Sequence, residues 1–222
     1  LRNASVNILS LKSLQNKKIN ELISENQRLN KELEDKTNIL LENKALKDQF
    51  AKGGSNSQNL LPAKVIGAPG FIPGVSLPEY LVIDKGSIDG VKIGSTIIVG
   101  NYLVGKTITL ANNFSKVELV INKNSSFTAK IVPQDGKEIS GIIKGKGSDE
   151  IIFDNVLLTL SIKKDDIVLT KGEKDEKGNG FPPDLIVGKI MSVEKKSSDL
   201  FQKAEVLSFV DFTSLSTVFI LK

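Results

Sequence analysis

The stretch Val91-Lys92-Ile93-Gly94-Ser95-Thr96-Ile97-Ile98-Val99-Gly100-Asn101-Tyr102-Leu103-Val104-Gly105-Lys106 decides how most of this chain folds. A polar turn leads into a β-branched run. Gly100-Asn101 breaks that run, and a second apolar run opens with Leu-Val-Gly-Lys, which reads as two short strands around a turn. The same grammar returns in Ile162-Lys163-Lys164-Asp165-Asp166-Ile167-Val168-Leu169, followed by Ile186-Val187-Gly188-Lys189. Two copies of about 80 residues each imply two small barrels with separate cores.

Working outward, runs rich in Val, Ile, Thr and Phe recur at 63–66, 80–83, 95–99, 103–110, 116–121 and 127–132. They continue at 139–144, 151–155, 167–170, 186–193, 204–209 and 217–221. Turn residues separate them, among them Asp89-Gly90, Asp135-Gly136 and Gly178-Asn179-Gly180. Short strands at this spacing, without intervening helical patterns, predict antiparallel barrels rather than a βαβ sheet.

Residues 6–50 differ in kind. They contain neither proline nor glycine, and lysine, glutamate, asparagine and leucine dominate. With Ile19 at heptad position a, the a positions are Ile19, Asn26, Leu33 and Leu40, and the d positions Leu22, Leu29, Lys36 and Asn43. This is a coiled-coil seam. Ile8, Leu11 and Leu14 lie out of register, so the repeat slips before Ile19. A helix docked on its own globular domain is the alternative, but such helices carry a wider apolar stripe. Ile19, Leu22, Asn26, Leu29, Leu33 and Leu40 are therefore the candidate dimerisation residues. Asn26 at an a position fixes register and favours two strands, while Lys36 and Asn43 weaken the end of the seam. Helical throughout 7–50, the rod would be about 65 Å long. Lys52-Gly53-Gly54-Ser55-Asn56-Ser57-Gln58-Asn59 then stops the helix. The expected organisation is a stalk at 1–52, a linker at 53–61, and barrel subdomains at 62–140 and 141–222.

Composition excludes much chemistry. The 222 residues include no Cys, His or Trp, which removes Ser-His-Asp and Cys-His catalysis, thiolate or imidazole zinc sites, and disulfides. The formal charge of +4 is carried mostly by residues 1–52, and arginine occurs only at Arg2 and Arg28, which argues against nucleic-acid recognition. Within this sequence no run of about 18 apolar residues is expected to span a membrane, and no stretch reads as a signal peptide. Because the chain begins with Leu1, it is expected to be a fragment of a longer protein.

The remaining motifs are weighed individually. Gly141-Ile142-Ile143-Lys144-Gly145-Lys146-Gly147-Ser148 lacks phosphate-loop spacing and reads as a hairpin. Asp149-Glu150 and Asp165-Asp166 lie in polar turns, where carboxylates stay solvated rather than acting as acid and base. In Gly180-Phe181-Pro182-Pro183-Asp184 the phenylalanine either covers a barrel end or stands out as a partner-binding knob. Phe71-Ile72-Pro73-Gly74-Val75 poses the same choice on a surface loop, so Phe71, Ile72, Phe181 and Pro182 are the candidate partner contacts. No catalytic, cofactor or metal residue is assigned.

Several segments in order carry a resemblance. They are Ala63-Lys64-Val65-Ile66-Gly67, Ile83-Asp84-Lys85-Gly86-Ser87-Ile88-Asp89-Gly90-Val91-Lys92-Ile93-Gly94, Leu103-Val104-Gly105-Lys106, Phe181-Pro182 leading to Ile186-Val187-Gly188-Lys189-Ile190, and Asp199-Leu200-Phe201-Gln202. Together with the preceding coil they resemble MreC, the bacterial cell-shape family of the lateral-wall elongation machinery. Asp184 departs from the pattern, since members usually carry glycine after Phe-Pro-x. The charged loop 173–178 departs from it too. The resemblance implies a chymotrypsin-like pair of barrels without catalytic residues, and a single-pass membrane anchor before Leu1 with this part extracytoplasmic. It also implies self-association, a place beside MreD and MreB, and activation of RodA and a class B penicillin-binding protein. The competing expectation is a periplasmic adaptor of an efflux or secretion system. Such adaptors insert an out-and-back helical hairpin within the β region, and here a single helix lies at one end.

Overall fold

The computed structural model describes residues 18–37, 39–40, 44, 60–133, 136–148, 150–172 and 180–221. Ile8, Leu11, Leu14, Asn43, the glycine-rich stop at 52–59, Asp135, Asp149 and the charged loop 173–178 lie outside these residues. Two units are distinguished, one covering Leu1–Lys47 and one Asp48–Lys222.

In the first unit, residues 18–37 form helix α1, about 30 Å of rod at 1.5 Å per residue. Glu and Lys in the favourable i, i+4 order join Glu32 to Lys36 at 3.1 Å, and Arg28 grips the Glu25 carboxylate through two nitrogens at 2.6 and 3.0 Å. The guanidinium hydrogen bond holds the Glu25 carboxyl below its ordinary range. The stripe Ile19, Leu22, Leu29, Leu33 and Leu40 is exposed, from 44% at Leu29 to 70% at Leu40.

Among the described residues the second unit has twelve strands: β1 (Leu60–Gly67), β2 (Tyr80–Ile83), β3 (Thr96–Val99), β4 (Tyr102–Leu110), β5 (Ser115–Leu119) and β6 (Ser126–Ile131). They continue as β7 (Ile139–Gly145), β8 (Ile151–Leu157), β9 (Ile167–Thr170), β10 (Ile186–Glu194), β11 (Phe201–Leu207) and β12 (Thr217–Leu221). Pairing closes two antiparallel rings of six. The first runs β4-β3-β12-β1-β2-β5 and back to β4, and the second β11-β8-β7-β6-β9-β10 and back to β11. Closure removes the sheet edges that would otherwise invite aggregation. Period-two alternation supplies each core: in β11, Gln202, Ala204 and Val206 point in, and Phe201, Lys203, Glu205 and Leu207 point out. Ile83, Ile97, Leu103 and Val117 fill the first ring, and Ile131, Ile143, Phe153 and Ile190 the second.

The rings do not divide where the sequence reading placed the boundary. Residue 140 lies inside β7, whose neighbours β6 and β8 are both second-ring strands, while β12 returns to close the first ring between β1 and β3. The linker also ends earlier than 61, because β1 pairs from Leu60 onward with Leu221. Sequential periodicity cannot show that the last strand returns to the first barrel, since that is a long-range pairing.

The two Val-Gly-Lys segments occupy equivalent places on β4 and β10, each strand pairing on both sides. A Cβ at Gly105 would lie 2.0 Å from the Glu118 carbonyl oxygen, and one at Gly188 would lie 2.2 Å from that of Leu207. The neighbouring backbone approaches too closely for any side chain, which explains glycine at both positions.

Between the rings the chain crosses through buried Val120, Ile121 and Asn122. Val120 N donates to Val104 O of the first ring at 3.0 Å, and Gly145 N of the second donates to Ser125 O at 3.1 Å. Asn122 Nδ2 donates to Glu79 Oε2 at 2.9 Å, and its Oδ1 accepts from Asn124 N at 2.8 Å. A buried, hydrogen-bonded crossing fixes the two barrels relative to each other.

Candidate interaction site

The loop between β1 and β2 carries Phe71 and Ile72. Phe71 N donates to Ala68 O, Val75 N to Ile72 O, and the Ser76 hydroxyl accepts from Ile72 N at 3.0 Å. The loop therefore holds its own shape while Ile72 and Val75 stand exposed, Val75 at 79%. Phe71 is only half-exposed. Together with Pro73, Val75, Leu77, Gly147 and Thr213 it lines an open concavity of about 840 Å³ beside the junction of the rings. A pre-shaped apolar surface of this kind loses little entropy on binding.

Phe181 behaves otherwise. It is 5% exposed and meets Phe127 edge-on, with ring centroids 4.7 Å apart. Thr170 pins its turn, the hydroxyl donating to Pro182 O and accepting from Leu185 N at 3.0 Å. Phe181 thus covers an end of the second barrel and is corrected from a partner-binding knob. Pro182 beside it is half-buried. The structure consequently does not bring the four candidate contacts together as one site.

Asp184 takes φ +67°, the left-handed region where glycine is at ease. Its carboxylate meets Lys130 Nζ at 2.8 Å, and Asn101 of the first ring reaches its carbonyl oxygen at 3.4 Å. The hydrogen bond that Lys130 donates to Asp184 raises the Lys130 pKa above the ordinary lysine value. The departure from glycine is therefore coupled to an ion pair near the junction.

Among the described residues the carboxylates show no acid–base pairing. Asp165 contacts Lys189 at 3.2 Å, and Asp166 accepts from Lys163 N at 2.8 Å, closing a turn. The displaced carboxyls among the described residues, Glu25, Asp154, Glu194 and Asp211, all lie below their usual range. Arg28, Lys144 and Lys203 respectively, and the Thr213 hydroxyl for Asp211, are the main causes. A general acid near neutrality needs the opposite displacement. Among the described residues no group of three or more His, Cys, Asp or Glu could hold a metal, and no helix is long and apolar enough to cross a membrane.

The sequence reading passed over one exposed group. Leu157, Leu200 and Phe201 lie together where β8 ends and β11 begins, Phe201 directly opposite Leu157. The available signal was an apolar residue at an outward position of β11's alternation.

Comparison with known proteins agrees with this architecture. Residues 75–222 match the family model described as rod shape-determining protein MreC, barrel core. The cell shape-determining protein MreC of Listeria monocytogenes is 30% identical over 146 residues, 65% of this chain and 48% of the relative. That of Haemophilus influenzae is 29% identical over 136 residues, 60% of this chain and 37% of the relative. The chain thus spans less than half the length of these two relatives. A solved Listeria MreC structure superposes with TM-score 0.64 at 29% identity, covering 94% of this chain and 95% of that one. MreC from Helicobacter pylori, solved in complex with a penicillin-binding protein (PBP2), shares the fold at TM-score 0.55 and 17% identity, over 73% of this chain and 96% of that one. With two closed six-stranded rings, paired Val-Gly-Lys strands and a family match across the barrels, this chain belongs to the MreC family of rod shape-determining proteins.

Proposed function

We propose that this chain is a non-enzymatic scaffold of the bacterial elongation machinery, organising and activating lateral peptidoglycan synthesis. Two copies pair through Ile19, Leu22, Asn26, Leu29, Leu33 and Leu40. A single-pass anchor preceding Leu1 holds the pair on the membrane with this part extracytoplasmic. The paired barrels engage a class B penicillin-binding protein and RodA, in an assembly with MreD and MreB. The Phe71–Ile72 loop contributes to the contact surface. The observation carrying this reading is the exposed heptad stripe of α1, next in sequence to a barrel body whose displaced carboxyls are all held ionised. Bivalent display raises the local concentration of partner sites, and binding one partner conformation more tightly than another shifts its population.

Reconstitution tests it. Added to a purified RodA and class B penicillin-binding protein pair, the membrane-anchored full-length protein is expected to raise glycan polymerisation, with no turnover of muropeptides by itself. The Asn26→Leu form, with altered oligomeric state or mixed register, is expected to stimulate less. Unchanged polymerisation on adding the wild-type protein, or saturable muropeptide turnover, would contradict the proposal.

A further inference from the structure

The chain enters the first ring at the end where β1 begins and leaves it at the opposite end, where β5 runs into the buried crossing. In the second ring β6, β8 and β10 run away from that crossing, and β7, β9 and β11 return toward it. The far end of the second ring is therefore built from the turns after β6, β8 and β10.

Exposed apolar residues gather at that end. Val132, Leu157, Ile167, Leu200 and Phe201 are all exposed there, Leu200 at 79%. Phe201 and Leu157 are register partners, and Leu158 N donates to Leu200 O at 3.0 Å, so three of the five form one patch. Contiguous exposed apolar surface marks interaction sites more often than scattered single residues do. Gln202 fixes the patch from behind. It is 2% exposed, its Nε2 donates to Leu157 O and Leu160 O, and its Oε1 has no donor among the described residues.

Charge around the patch is unbalanced. Glu194 is taken up by Lys196 at 3.2 Å and Lys203 at 3.1 Å, Asp165 by Lys189 and Glu138 by Lys130. Asp166 and Asp199 have no cation among the described residues, against three exposed lysines, Lys163, Lys164 and Lys195, whose side chains are unpaired among the described residues. Glu194 alone holds two lysines, so lysine is in excess at this end. An apolar centre with a basic rim is complementary to a surface of the opposite charge pattern.

We infer that the far end of the second barrel docks a different protein, through a segment whose apolar side chains are flanked by aspartate or glutamate. This rests on the scaffold reading only in taking the partner to be a protein. The docking surface lies at the end of the second ring away from the crossing.

The test places a photoreactive phenylalanine derivative at Leu200 of the full-length protein in its own cells, with Glu205 on the barrel wall as control. The expected result is a light-dependent adduct from position 200, absent from position 205. Mass spectrometry should locate the adduct in another protein's segment with acidic residues beside apolar ones. Reversing the rim with Lys163→Glu and Lys164→Glu should lower the yield about tenfold. No adduct, an adduct between two copies of this chain, or a yield indifferent to the lysine reversal would overturn the inference. An adduct with a protein unrelated to wall synthesis would leave it standing while removing the scaffold reading. Since Leu200 is mostly solvent-exposed, Leu200→Glu should keep the wild-type melting temperature, and in it the adduct from a second photoreactive site at Phe201 should be lost.

Discussion

Leucine and isoleucine serve opposite purposes in the two parts of this molecule. In the barrels Ile83, Leu103, Ile143 and Ile190 are fully buried. In α1 the same residue types recur at heptad spacing and remain exposed. A strand ring completes its own core, whereas a single helix with a narrow stripe cannot. The barrels are thus stabilised from within, whereas the stripe of α1 stays exposed. Truncating a barrel residue should unfold the molecule, while changing a stripe residue should change only how many copies associate.

The contrast can be broken at its strongest point first. Phe153→Ala removes a fully buried ring from the second barrel and is expected to destabilise it by about 3–5 kcal/mol, lowering the thermal midpoint or preventing folding. Retention of the wild-type midpoint would show that the barrel does not depend on its own core. Gly188→Val should be comparably severe, since the Leu207 carbonyl oxygen lies within 2.2 Å of an added Cβ. Thr170→Val leaves the turn at Pro182 and Leu185 without its hydroxyl, and denaturant titration should register a loss of about 1–3 kcal/mol.

Smaller effects sharpen the picture. Asp184→Gly relieves a positive φ but gives up the contact with Lys130, so stability should stay within about 1 kcal/mol of wild type. The Asp154 carboxyl, held down chiefly by Lys144 at 2.8 Å, has a folded pKa below its unfolded one. Its stabilising contribution is present above the ordinary aspartate range, about pH 4, and is lost as pH falls through the folded value. Lys144→Met should flatten that acid limb in urea titrations at successive pH values. An unchanged limb would mean that the pair contributes nothing.

Much of this fold is written locally. The twelve apolar runs correspond to the twelve strands, with 80–83, 167–170 and 217–221 matching β2, β9 and β12 end to end. Alternation and glycine turns are nearest-neighbour signals, so they survive in one dimension. Ring membership is not local: nothing near Thr217 tells that β12 pairs with β1 and β3. The interaction surface was legible only in part. Ile72 stands on an exposed loop, but Phe181 turned inward because Phe127, more than fifty residues away, offers a ring to pack against. The Leu200 patch arises where β8 and β11 meet, a pairing that sequence spacing does not reveal.

Sedimentation velocity of the complete chain across a concentration series, for wild type and Leu29→Glu, tests the central claim most directly. Wild type should show a concentration-dependent dimer, and Leu29→Glu a monomer with an unchanged barrel melting temperature. A wild-type chain that stays monomeric at every concentration, or a Leu29→Glu chain that dimerises equally well, would contradict pairing through the stalk.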